Sequence, residues 1–365
     1  MERMVSKHSA TSTLSWNAFH LVTGMFILAL ALHASGLSAS GKPPKLFESD
    51  DLMEITLTGP LKTVQRKKTS DIVHDGTLQY TTTEGAERVI SVGIRTRGRS
   101  RRDVACDFPP LKLFFDKAEN KGTEFRGLKS LKLVAYCGRE NRNEQYNIKE
   151  YLAYRIYNLI TPYSFRVRPL MITYQQEGGR KLLTRFGFLI EDIDDVANRN
   201  DLEELKRTEI SPSELKPEHA VNYALFQYLI SNLDWAATRG PSGEDCCHNG
   251  KLIGQTENDP TVYVIPYDFD SSGIVNTHYA AVPPKLGVRR VTQRLYRGFC
   301  VHNGAVGGAV ERYLNERDRT LELIENHPLL DKRNRRATLG FVSEFYETLS
   351  TPEGVESEIT GKCRR

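Results

Sequence analysis

The sequence predicts an α+β protein in two lobes, a strand-rich half followed by a helix-rich half. Three observations predict it. Between residues 52 and 192, short segments rich in Val, Ile, Thr and Tyr alternate with turn residues. Beyond 192, most of the longer segments carry apolar residues at helical spacing. The two regimes meet in "FLIEDIDD", residues 188–195. Runs of strands followed by runs of helices mark an α+β fold or a pair of lobes, and two lobes leave a cleft between them.

The strands are expected at 52–61, 76–82, 88–98, 111–115 and 130–137. The period then changes. "NEQYNIKEYLAYRIYNLI" sets Ile148, Tyr151, Leu152, Ile156 and Leu159 on one helical face, and Pro162 ends it. Strands return at 165–175 and 185–192. "SELKPEHAVNYALFQYLISNLDW" reads as an amphipathic helix with Asp234 just past its end. A loop rich in Gly, Pro and Cys runs from Thr238 to Asn249, and "VYVIPY" (262–267) is a buried strand. "VERYLNERDRTLELIENH" and "RRATLGFVSEFYETL" are the closing helices. The expected division is a leader at 1–40, a sheet-rich lobe at 41–190, a helix-rich lobe at 191–350 and a tail at 351–365.

The chain has 365 residues, 39% hydrophobic and 26% charged, enough for a substantial core. A formal charge of +4 is small for this length and gives no reason to expect nucleic-acid binding. The N-terminus is polar and carries Arg3 and Lys7; an apolar stretch centred on Met25–Leu32 follows, then small residues ending Ser38-Ala39-Ser40. That is the pattern of a secretory signal, with cleavage expected near Ser40 and a secreted or periplasmic mature protein. No later segment reaches the ~20 apolar residues of a membrane span. Export permits disulfides among the six cysteines, which allow 15 pairings. Cys106 and Cys137, both beside neighbouring strands, are the expected pair. Cys246 and Cys247 are expected to reach other partners, Cys300 among them. Zinc competes, but no C-x-x-C pair supports it.

Four features carry possible chemistry. In "IRTRGRSRR", Arg95, Arg97, Arg99 and Arg101 fall at period two, a comb suited to phosphate oxygens, or a solvated strand face. Lys112 in "PPLKLFFD" is a point charge among apolar neighbours, able to meet phosphate or to snorkel. Asp234 in "LISNLDW" is placed to accept a proton from a hydroxyl, or to cap a turn; Asn249, in "CCHNGKL", is a reasonable metal ligand, and His248 beside it is a second candidate. In "PYDFD", Asp268 and Asp270 end an apolar strand. A buried carboxylate there needs a cation, either magnesium or one of the arginines.

In this order the features match the parts of a phosphoryl-transfer site. The chain resembles the CotH-type spore-coat kinase family, bacterial proteins that are atypical, secreted and protein-kinase-like. The resemblance spans about Val92 to Asp270 and rests on "IRTRGRS", "PPLKLFF", "LKSLKLVAYC", "NIKEYLAYRIY", "FGFLIEDID", "SNLDW", "HNGKL" and "PYDFD". It implies a two-lobed kinase-like fold that binds ATP with Mg (or Mn) and transfers the γ-phosphoryl group to a hydroxyl of a protein substrate. It implies Lys112 on the nucleotide phosphates with Arg97 and Arg99 beside it, Glu191 at the hinge, Asp234 as the catalytic aspartate, and Asn249, Asp268 and Asp270 on the metal. Glu150, on the first long helix, is a candidate partner for Lys112. The chain departs from the family in two places: "AATRGPSGEDCCH" separates Trp235 from Asn249, where the family has only a few residues, and "GRSRR" is more basic than the family pattern. The first departure suits the alternative, a non-catalytic binding or cell-surface protein on the same scaffold.

Overall fold

Alternation of inward apolar and outward polar residues builds the first half. In the computed structural model, which describes residues 42–365, seven strands close into a barrel. They are β1 (Met53–Gly59), β2 (His74–Thr81), β3 (Glu87–Thr96), β4 (Leu111–Phe115), β5 (Ser130–Val134), β6 (Val167–Gln176) and β7 (Lys181–Ile190). A short helix α1 (Leu61–Arg66) follows β1, and α2 (Asn141–Ile160) links β5 to β6. The order is β1-β2-β3-β4-β5-β7-β6, and the ring shuts by parallel pairing of β1 with β6, Ile55 opposite Ile172. Ile55, Leu57, Leu78, Ile94, Leu113, Leu133, Leu170 and Ile172 are all buried in one core cluster. A barrel this small is filled by side chains and holds no channel. At Gly76 a Cβ would sit 2.5 Å from both Thr58 O and Ile94 Cδ1, so only glycine allows β1 and β2 this approach. The signal sequence expected at 1–40, with its cleavage near Ser40, lies outside the described residues.

The second half is mainly helical, as expected. It comprises α3 (Ile193–Asn198), β8 (Glu203–Glu204), α4 (Pro217–Leu229), β9 (Gly250–Gly254), β10 (Tyr263–Pro266), α5 (Val306–Asn315), α6 (Arg317–Glu325), α7 (Lys332–Leu349) and α8 (Pro352–Glu358). Strands β8, β9 and β10 form a small separate sheet in the order β10-β9-β8. The single helix expected over 310–327 breaks at Glu316. Tyr313 ties α5 to α4 through a 2.8 Å bond from its hydroxyl to Asn222 O, whereas α6 packs on α2 and α7. One straight helix cannot satisfy both. The α2 face bearing Tyr151, Tyr154 and Tyr157 joins the outer aromatic residues of β7 and the helices in one core cluster, so barrel and helices share a core. Among the described residues no helix is long and apolar enough to cross a membrane.

Cys106 and Cys137 are bonded, as expected. The other expectation is corrected. Cys300 pairs with Cys363, because the backbone at Arg364 runs as a bridge beside Phe299. Cys246 and Cys247 are then left to bond each other. The Cys106–Cys137 bond closes a loop of 31 residues. Replacing both cysteines by serine is expected to lower stability by about 3–4 kcal/mol through the freed unfolded chain. A shift in the urea midpoint at unchanged slope checks this.

Candidate functional site

The arginine comb does not survive folding. Arg95 stays on β3 with its guanidinium 5.1 Å from the Phe114 ring centre. Gly98, at φ +90°, then turns the chain, and the residues beyond it point separately. Arg99 is exposed and pairs with Glu244 in the long loop after Trp235. Arg101, in a helical turn at Arg101–Ala105, is buried.

Arg101 is the hub of the site. Its Nη1 and Nη2 donate to Glu150 of α2 at 3.0 and 2.8 Å, Nη2 also reaches Asp268 Oδ1 at 2.9 Å, and Nε lies 3.0 Å from Asp270 Oδ2. The cation anticipated for the strand-end carboxylates is therefore an arginine. It is also what Glu150 binds, in place of the expected Lys112. Burial opposes the Arg101 charge, yet Asp270 and Glu150 hold the guanidinium well above its usual range. Burial raises the Glu150 carboxyl, against the pull of Arg101. Burial also pushes Asp270 up to about 7, again opposed by Arg101. Asp268 is different: its carboxylate is 38% exposed. Its backbone N–H donates to the Tyr154 hydroxyl at 3.0 Å, one helical turn from Glu150. Both Asp268 (φ +64°) and Asn249 (φ +50°) hold left-handed backbone, which non-glycine residues rarely adopt outside constrained sites.

The β9–β10 hairpin brings the second half's candidates together. Pro266 pairs with Gly250, and Tyr267 N–H donates to Asn249 O at 3.2 Å, so Asn249 and Asp268 sit at the same hairpin end. Asn249 Nδ2 donates to Asp234 O at 2.6 Å and to Asp234 Oδ2 at 3.1 Å. His248 Nε2 lies 2.7 Å from Asp234 Oδ1. The insertion before Asn249 thus returns it to Asp234, with Ala236 and His248 bridged as strands. Among the described residues, Asn249 Oδ1 and Asp268 Oδ2 carry no hydrogen bond, leaving two hard oxygen donors at this end. No group of three or more His, Cys, Asp or Glu able to hold a metal occurs among the described residues. Two protein oxygens are what magnesium needs when phosphates and waters supply the rest.

The strand lysine facing this site is Lys132 on β5. Lys112 on β4 lies directly opposite it in register, so both point to the outer face of the barrel. The Lys112 ammonium rests 5.4 Å from the Phe114 ring, with no ion pair among the described residues. The Lys132 ammonium is covered by Tyr267 and Phe165, at 4.8 and 5.9 Å. Burial, with Arg97 nearby, lowers it to about 8, and the charges of Asp192 and Asp268 act the other way. Arg97 is enclosed beside Arg101 and Asp268, and its Nε is buried without a partner. Glu191 sits where the barrel gives way to the helices, but its side chain is sealed in. It pairs with Arg199 at 3.1 Å and accepts from Arg166 N–H at 2.9 Å, so it faces no ligand.

No protein-family model and no curated protein matches this chain.

The Asp234–His248 pair makes a pH prediction. The bond to His248 lowers the Asp234 carboxyl, and the same bond raises the His248 imidazole above 6.5. The Asp234 contribution to stability is present above the ordinary carboxylate range and lost as pH falls through its lowered value. The His248 contribution is full below 6.5 and lost as pH rises through its raised value. The ion pair therefore persists from the lowered Asp234 value up to the raised His248 value. An NMR titration is expected to place His248 above 6.5, and Asp234→Asn to bring it back down.

Proposed function

We propose that this protein is an atypical kinase-like phosphotransferase that uses ATP and magnesium or manganese to phosphorylate a protein hydroxyl, in line with its resemblance to the CotH-type family. The observation that carries this reading is the convergence of Asp234, Asn249 and Asp268 at one end of a hairpin, opposite Lys132, Arg97 and Arg101. The seven-stranded barrel departs from a two-lobed kinase plan, so the reading rests on this juxtaposition and not on architecture.

Lys132, a buried strand-borne ammonium, takes the phosphate role first given to Lys112, with Arg97 beside it. Asn249 Oδ1 and Asp268 would hold the metal, which bridges and neutralises phosphate oxygens when bound. Asp234 orients the acceptor hydroxyl and accepts its proton. Beside Lys132, a cavity of about 300 Å³ is lined by Lys129, Ser130, Asp192, Asp194, Asp195 and Asn198. Its acidic wall repels phosphate and suits the base and ribose.

One observation favours the second reading, a non-catalytic binding protein: Arg101 already satisfies Glu150, Asp270 and one Asp268 oxygen without a metal. The test is incubation of the protein with γ-labelled ATP, magnesium or manganese and a periplasmic extract, beside Asp234→Ala. Label transfer lost in the variant supports the kinase reading. Absence of transfer, with no nucleotide-dependent thermal shift, removes it.

A further inference from the structure

A second groove runs between α4 and α5, with the turn Cys300–Ala305 along one side, and the site above uses none of its residues. It measures about 420 Å³, the size of a small-molecule site. Two glycines keep it open. A Cβ at Gly304 or at Gly308 would meet no atom within 4 Å. Val301, which also lines the groove, leaves apolar surface in solvent at 64% exposure.

Four polar side chains line the same groove: Glu218 and Asn222, one turn apart on α4, then His302, and Arg312 on α5. Asn222 is 3% exposed, and its amide oxygen has no partner. A buried acceptor left this way calls for a donor. His302 Nε2 bonds to Pro212 O at 2.9 Å, which places the ring hydrogen there and leaves Nδ1 an acceptor. Burial lowers the imidazole and favours this neutral ring, against the Pro212 bond and the Glu218 charge. Among the described residues Arg312 forms no ion pair, and its Nε is buried without a partner. Glu218 reaches only Lys216, at 3.7 Å and in solvent, a weak pair. A cation and an anion therefore line one groove without meeting each other.

We propose that this groove binds a small zwitterion, an amino acid or dipeptide with an apolar side chain. Its carboxylate pairs with the Arg312 guanidinium. Its ammonium donates to Glu218, to the Asn222 amide oxygen and to His302 Nδ1, three acceptors for three hydrogens. The open space at Gly304 and Gly308, with Val301, takes the apolar side chain. An anion alone would leave the three acceptors unmatched, and a cation alone would leave Arg312 so. The site does not depend on nucleotide binding.

The experiment is isothermal titration of the full chain with L-leucine and with L-leucyl-L-leucine, each beside its N-acetyl and its C-terminal amide form. The expected result is saturable binding of at least one free zwitterion, weakened about tenfold or more by blocking either end. Arg312→Gln is expected to weaken the free form by a similar factor and to leave the amide form unchanged. Glu218→Gln is expected to weaken the free form and to leave the N-acetyl form unchanged. Gly308→Leu places a side chain in the groove from an exposed helical position, where leucine favours the helix, and is expected to abolish binding. If Arg312→Gln does not fold, Glu218→Gln and Gly308→Leu decide. No saturable binding of either zwitterion up to about 10 mM, binding indifferent to both blocked ends, or binding unchanged in Gly308→Leu overturns the proposal.

Discussion

Arg101→Met is expected to destabilise the protein by about 3–5 kcal/mol, the cost of leaving buried charge without its partner. The variant keeps an unbranched apolar stem, shorter than arginine, and removes the one guanidinium that Glu150, Asp268 and Asp270 share. Its signature is the pH dependence. With Asp270 at about 7 when folded and near 4 when unfolded, the folded state holds the proton more tightly. The stability contributed by that proton is full below the ordinary carboxylate value and is lost as pH rises through about 7. Without Arg101 the carboxyl rises further, so the variant is expected to recover part of its lost stability on going from pH 8 to pH 5. Urea unfolding at both values measures this. A loss under 1 kcal/mol, flat with pH, would mean that the three carboxylates do not depend on Arg101.

If the protein is the kinase proposed above, Asp234→Asn is expected to lower phosphoryl-transfer turnover by about 10²–10⁴-fold, the range for removing a positioned base. Asparagine can still accept from Asn249 and His248, so the loop is expected to stay folded and the KM for ATP to change little. On the same reading Lys132→Met is expected to do the reverse, raising the KM for ATP more than it lowers kcat, because the proposed role of Lys132 is a phosphate contact and not proton acceptance. Lys112→Met serves as the control and is expected to leave both near the parent values, since its ammonium rests on Phe114. Steady-state kinetics on the three variants separate these roles. An Asp234→Asn enzyme within a factor of three of the parent would sink the assignment.

The lysine shows how far the sequence carried. "LKLFF" and "SLKLV" present the same local pattern, a lysine between leucines on a strand, and nothing local separates Lys112 from Lys132. What separates them is that Tyr267 and Phe165, from segments far along the chain, close over β5 and not over β4. Arg101 was legible only as one tooth of a comb. Its burial follows from the turn at Gly98 and from α2, which sets Glu150 within reach. The carboxylates were easier to find, because an acid ending an apolar strand is conspicuous whatever surrounds it.

By itself the sequence determined what local patterning can: the strand-rich first half, α2 and α4, the Cys106–Cys137 neighbourhood, and the need of "PYDFD" for a cation. The tertiary structure alone decided that the first sheet closes on itself, that Cys300 finds Cys363, and that Arg101 supplies the charge. Each of these joins segments tens of residues or more apart. Side-chain period fixes which face is buried but carries no information about which distant partner will cover it.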